Sequence, residues 1–144
     1  MEKIRLNYHL KLQEMCDCYM ETDFHAAMQG MAEADSKDPE EDAIKYLALA
    51  IMYAITQKAE KLSFKKKGGE LKVTIKNGSK EKLPVPPVAI LDKVFVIMRT
   101  ILHIEEEKGG MEFSLGLRSG EVNAMVNVVR EEDKESLKIK FAQQ

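Results

Sequence analysis

The sequence predicts an α+β domain in which helices pack on an antiparallel sheet. Two stretches, 44–55 and 91–102, repeat apolar residues at helical spacing. Several shorter runs alternate apolar and polar residues instead, and glycine or charged turns separate them. The predicted order is a helical extension followed by α, β, β, α, β, β, β, with residues 1–38 as the extension and 39–144 as the domain.

The opening is ambiguous. Ile4, Leu6, Tyr8, Leu10 and Leu12 alternate with Lys3, Arg5, Asn7, His9 and Lys11, as in a half-buried strand. Tyr8, Leu12, Met15, Cys16 and Tyr19 also share one helical stripe. The spacing predicts one helix from about Leu12 to Ala34 and leaves the first ten residues open between strand and helix. Asp38-Pro39-Glu40-Glu41 then marks a helix start: Asp38 caps, Pro39 suits the first position, and the acids complement the positive end of the dipole. The helix that follows carries Ile44, Leu47, Ile51, Ala54 and Ile55 on one stripe, widened by Ala48, Ala50 and Met52.

Leu62 to Lys66 reads as a strand, Gly68-Gly69 as a turn, and Leu71 to Ile75 as its partner strand, ended by the turn pair Asn77-Gly78. Leu83-Pro-Val-Pro-Pro87 is extended and cannot continue a sheet interior. The helix from Val88 to about His103 presents Leu91, Val94, Phe95, Met98, Ile101 and Leu102 on one face, with His103 complementing its C-terminal dipole. Gly109-Gly110 is expected to turn the chain into three strands, Met111–Arg118, Glu121–Arg130 and Ser136–Phe141.

The chain has 144 residues, 22 Lys and Arg against 24 Asp and Glu, and a net charge of −2. A domain of this size buries roughly 68–70% of its unfolded surface and folds without metal or disulfide. No apolar run approaches the roughly 20 residues of a membrane span, and no signal peptide is visible, so a cytoplasmic location and no membrane insertion are expected. The charge is unevenly spread. Residues 1–61 carry 7 basic and 12 acidic groups, residues 62–86 carry 7 lysines and 2 glutamates, and the remainder carries 8 and 10. The middle segment is a local positive feature suited either to an anionic partner or to protecting a sheet edge.

Catalytic signatures are missing. There is no phosphate-binding loop, dinucleotide fingerprint or nucleophile elbow. Cys16, Cys18 and His25 are the best metal candidates, but residues two apart on a helix point about 200° from one another, so one buried and one half-exposed thiol is the expected outcome. Neither metal nor cofactor is expected, and no enzyme. Only Phe64 interrupts the lysine strip, so no nucleic-acid partner is expected either.

Residues 43–141 together resemble the N-terminal (N2, PAS-like) domain of type II secretion and type IV pilus assembly ATPases. Tyr53-Ala54-Ile55 and Ala59 to Phe64 sit where that family has an "EAI" step and an "ASDIHIEP" strand. Leu71 to Gly78 is similar to its "VRYRIDG" strand, and Leu83 to Glu105 to its Pro-rich lead and following helix. Gly110 to Val129 and Glu135 to Ile139 are similar to its last hairpin and closing strand. The family's arginines in the second strand reach nucleotide phosphates; here Lys72 and Thr74 stand there, and the family's acid and histidine are replaced by Glu60, Lys61 and Phe64. The chain reaches Gln144 without the ATPase core, so the resemblance implies a stand-alone relative.

The expected function is therefore a non-enzymatic protein-interaction or regulatory module, acting on secretion or pilus machinery or self-associating. Lys65, Lys66, Lys67, Lys72 and Lys76 are the candidate partner- or anion-binding residues, and Leu12, Met15, Tyr19, Phe24 and Met28 the candidate self-association residues. The alternative is a PAS-like small-molecule or nucleotide sensor using Lys72, Lys76, and Arg99 or Arg118.

Overall fold

A computed structural model describes residues 2–18, 23–33, 38–118 and 120–142, with the side chains of 2–7, 25, 32 and 33 outside the description. The chain is α+β. Among the described residues four helices, α1 (Glu2–Cys18), α2 (Phe24–Glu33), α3 (Pro39–Thr56) and α4 (Val88–Leu102), accompany six strands. These are β1 (Lys61–Lys67), β2 (Glu70–Asn77), β3 (Ser79–Lys82), β4 (Lys108–Leu117), β5 (Gly120–Glu131) and β6 (Lys134–Phe141). They form one antiparallel sheet in the order β3-β2-β1-β6-β5-β4, two three-stranded meanders joined where β1 meets β6.

One face of the sheet is covered. Leu62 and Phe64 of β1, Val73 and Ile75 of β2, Leu137 and Ile139 of β6, and Val126 and Val128 of β5 are buried, lie opposite one another, and share a core with α3 and α4. Tyr46 of α3 packs edge-on to Phe64 at 6.4 Å between ring centroids. Full burial of a Leu, Ile or Phe side chain contributes about 1.5–3 kcal/mol, so this layer supplies most of the drive to fold.

Helix α3 starts as predicted. Asp38 Oδ1 accepts from Glu41 N at 3.1 Å, with Pro39 at the first helical position. Every residue from Ala43 to Ala54 except Lys45 is buried, because α1 and α2 pack on the side that α4 and β1 leave uncovered. Its wide apolar surface thus reflects a central helix sandwiched between layers.

The N-terminal segment corrects the single-helix expectation. Residues 2–18 are helical, so the period-2 pattern of 3–12 does not mark a strand here. A second helix begins at Phe24, where Asp23 Oδ1 accepts from Ala26 N at 3.1 Å and starts a new N-terminus. Tyr8, Leu12 and Cys16 of α1 join the common core, so the helical extension shares the domain's packing.

The neighbouring stripe of α1 seals a sheet edge. His9 Nε2 donates to Ser114 O at 2.7 Å, while Gln13 Oε1 accepts from Gly116 N at 2.7 Å and Asp17 Oδ1 from Arg118 N at 3.0 Å. Side chains four residues apart on a helix thus meet backbone groups two apart at the outer edge of β4, the exposed groups that would otherwise invite another strand.

Two further expectations change. Gly109 and Gly110 lie inside β4 instead of in a turn, where a Cβ on Gly109 would stand 2.8 Å from Ile104 Cγ2 and one on Gly110 2.6 Å from Asn127 Oδ1. The turn out of α4 is made by His103, in the left-handed region at φ 57°. Arg99, only 7% exposed, ties the following loop down by donating to Glu106 O at 2.6 Å and Glu107 O at 3.1 Å. Strand β3 was not expected at all. Gly78, at φ +77°, folds it back on β2, and Tyr53 of α3 donates to Glu81 Oε2 at 2.7 Å to hold it.

Replacing Gln13 and Asp17 together by Ala strips acceptors from two edge N–H groups. Stability is expected to fall by about 1–2 kcal/mol, and light scattering to show association that grows with concentration beyond that of the unaltered chain. An unchanged melting temperature with unchanged scattering would contradict the edge-sealing role.

Candidate functional site

The second face of the sheet is where the charges collect. Strand alternation turns Lys61, Lys65 and Lys67 of β1 away from the helices, and the register brings the neighbouring strands' lysines beside them. Lys80 opposes Lys76, Lys76 opposes Lys61, and Lys61 opposes Lys140: four lysines in one cross-strand row. In the next row Lys82, Thr74, Ser63 and Lys138 follow one another from β3 to β6. Lys72, Lys65 and Ser136 form the third row, and Glu70, Lys67 and Lys134 the fourth. At strand spacings of about 4.8 Å and about 3.4 Å per residue, the patch measures roughly 14 Å across the strands and roughly 20 Å along them.

Like charges directly opposite in a sheet destabilise it. The central strand's lysines feel both burial and their neighbours' charge. Lys61 and Lys65 are held below the ordinary lysine value, first by partial burial and then by surrounding ammoniums. For Lys61 these are Lys138, Lys76, Lys80 and Lys140; for Lys65 they are Lys138, Lys80, Lys134 and Lys61. Ser63 and Ser136 lie buried at the foot of the lysine stems.

The same face turns acidic towards the other edge. Glu121 and Glu131 of β5 and Glu112 of β4 occupy it with Asn123, Asn127 and Met125, and Lys108 of β4 stands 4.0 Å from Glu131. The two regions meet at an open cleft of ≈ 560 Å³ lined in part by Lys140, Met125, Glu112 and Glu60.

Of the predicted anion-binding residues, Lys65, Lys67, Lys72 and Lys76 come together on this face. Lys66 points to the other side, where its Nζ donates to Asp92 Oδ1 of α4 at 2.9 Å. Lys61, Lys80, Lys82, Lys134, Lys138 and Lys140 were not singled out from the sequence. Their local signal was the alternation of Lys138 and Lys140 with Leu137 and Ile139, but the pairing of β1 with β6 spans some seventy residues and left no local trace.

The self-association candidates have other surroundings. Leu12 and Met28 are fully buried in the chain's own core, Phe24 nearly so, and Met15 packs at its margin. Tyr19 lies outside the described residues. Cys16 is buried and Cys18 exposed; burial, then the charge of Asp17, pushes the Cys16 thiol up to about 12, which leaves it unreactive. Among the described residues no group of three or more His, Cys, Asp or Glu side chains is positioned for a metal ion.

The sensor alternative needed Lys72, Lys76 and an arginine around one ligand. Lys72 and Lys76 project from the open face, whereas Arg99 is buried on α4, its guanidinium bonded to two carbonyls and 3.8 Å from Glu135 Oε2. Arg118 stands beyond the far end of β4, remote in register from either.

No protein-family model matches the chain, and no curated protein matches it. Among the described residues no helix is long and apolar enough to cross a membrane.

Replacing Lys76 by Glu sets an opposite charge between Lys61 and Lys80. Thermal unfolding at low ionic strength is expected to show a gain of about 0.5–1 kcal/mol, a rise of a few degrees. A loss of stability would mean that the lysines do not oppose folding.

Proposed function

We propose that this chain is a non-enzymatic binding module that docks an anionic partner surface on the open lysine face of its sheet. The observation that carries this reading is the row Lys80, Lys76, Lys61 and Lys140, whose members repel one another until a counter-charge is present. The patch rows offer ammonium and hydroxyl donors, with Glu70 at one corner as their one carboxylate and no imidazole, a composition suited to holding an anion without general-base chemistry.

In this reading the fold is a PAS-like relative of the secretion and pilus ATPase N2 domain. Its support is the shared order of elements: helix, hairpin, Pro-rich lead, helix, hairpin, closing strand, here α3, β1–β2, residues 83–87, α4, β4–β5 and β6, with β3 as an addition after β2. By that resemblance the partner belongs to such machinery, and the module works in the cytoplasm.

Thermal unfolding with polyphosphate and, separately, polyglutamate at low salt tests the reading. A polyanion at 100 times its dissociation constant is expected to add about 2.7 kcal/mol to the unaltered chain, and markedly less when Lys61, Lys76, Lys80 and Lys140 are all replaced by Gln. No stabilisation by either polymer would overturn the reading, as would equal stabilisation of the substituted chain.

A further inference from the structure

We infer that the anionic surface received by the lysine face is the phosphate backbone of a double-stranded nucleic acid, bound without reading its bases. This rests on the anionic docking role proposed above, and it sets a nucleic acid in place of the machinery partner that the family resemblance implies. It reverses the expectation drawn from the sequence, which counted only the lysines of 62–86 and looked for aromatics among them.

The donor chemistry selects among polyanions. The patch offers lysine ammoniums and the half-buried hydroxyl of Thr74, groups that contact phosphate oxygens, while Ser63 and Ser136 are buried beneath them. Its rows carry no aromatic ring: Phe64 alternates to the helix side, and Phe113 and Phe141 line only the cleft beyond Lys140, so unpaired bases have nothing to stack on among the lysines. It also carries no arginine, the side chain that forks onto guanine in the major groove. Protein interfaces are depleted in lysine and enriched in aromatics, Met and Arg, nearly the inverse of this composition.

Shape and charge narrow the choice further. A row roughly 14 Å wide is comparable to a major groove of about 12 Å, so lysines at its two ends can meet phosphates on both sides of a groove. A flat anionic membrane would also press on Glu112 and Glu121, which share the face; a rod lying along the lysine half avoids them. A second copy turned to set its few glutamates against the lysine half would leave most of the lysines without a counter-charge.

The test is fluorescence anisotropy of a short labelled DNA duplex and the matching RNA duplex, with polyglutamate and phosphatidylserine vesicles as competing partners. The full chain is expected to bind a duplex, with affinity falling about 150- to 500-fold between about 50 and 200 mM salt if four to five phosphates are neutralised. Replacing Lys61, Lys76, Lys80 and Lys140 by Gln is expected to flatten the logarithmic salt slope by about 3–4, whereas replacing the helix lysines Lys45 and Lys93 leaves it unchanged. Amide chemical shifts of the unaltered chain give the same answer without any substitution: duplex-induced changes are expected on β1, β2, β3 and β6.

Polyglutamate or vesicles binding where neither duplex does would overturn this inference and leave the anionic docking role standing. Failure of every polyanion would overturn both. Duplex binding that survives the four substitutions, or shifts confined to the helices or β4, would also overturn it.

Discussion

Burial of one sheet face under α3 and α4 is the interaction on which the rest of the molecule depends, because the opposite face works against folding. Phe64, Leu62, Val73, Ile75, Leu137 and Ile139 alternate with the lysines and serines that face outward from the same strands. Each fully buried apolar side chain contributes about 1.5–3 kcal/mol, whereas an unfavourable cross-strand pair costs at most about 1 kcal/mol. A few core side chains therefore offset the whole lysine row. The two faces are not independent: the pleat that drives Phe64 inward drives Ser63 and Lys65 outward, and the register that aligns Leu62 with Ile139 aligns Lys61 with Lys140.

The surroundings of the sheet keep that face from being used indiscriminately. At one edge β3 is four residues long and rich in lysine, a poor template for a further strand. At the other, His9, Gln13 and Asp17 occupy one backbone group each at Ser114 and Gly116 of β4 and at Arg118 just after it. Lys66 shows what becomes of a lysine on the covered side: it needs Asp92 within 2.9 Å. No lysine of the outer row has such a partner in the opposing register, which is what separates a structural charge from one left available.

Much of the fold was legible in the sequence. The cap at Asp38, the alternation of Leu71, Val73 and Ile75, the Asn77-Gly78 turn and the last three strands all follow from local chemistry. β3 escaped because Ser79-Lys80-Glu81-Lys82 has no apolar residue to announce a strand; pairing with β2 and the Tyr53 hydroxyl hold it instead. The division between α1 and α2 escaped because one apolar stripe runs through both and only Asp23 marks the new start. The candidate site was half visible. Lys65, Lys67, Lys72 and Lys76 lie in one hairpin, but Lys134, Lys138 and Lys140 sit in a segment of net acidic charge and reach the patch only through the long-range pairing of β6 with β1.

The central claim is that the open face stores electrostatic repulsion which the covered face holds in check. Melting temperature measured against sodium chloride tests it most directly, because salt from about 10 to 150 mM shortens the screening length from about 30 to about 8 Å and leaves the core untouched. The account predicts that the melting temperature climbs steadily over that range and that the climb largely disappears once Lys61, Lys76, Lys80 and Lys140 are neutralised. A melting temperature that stays level or falls as salt is added would contradict it.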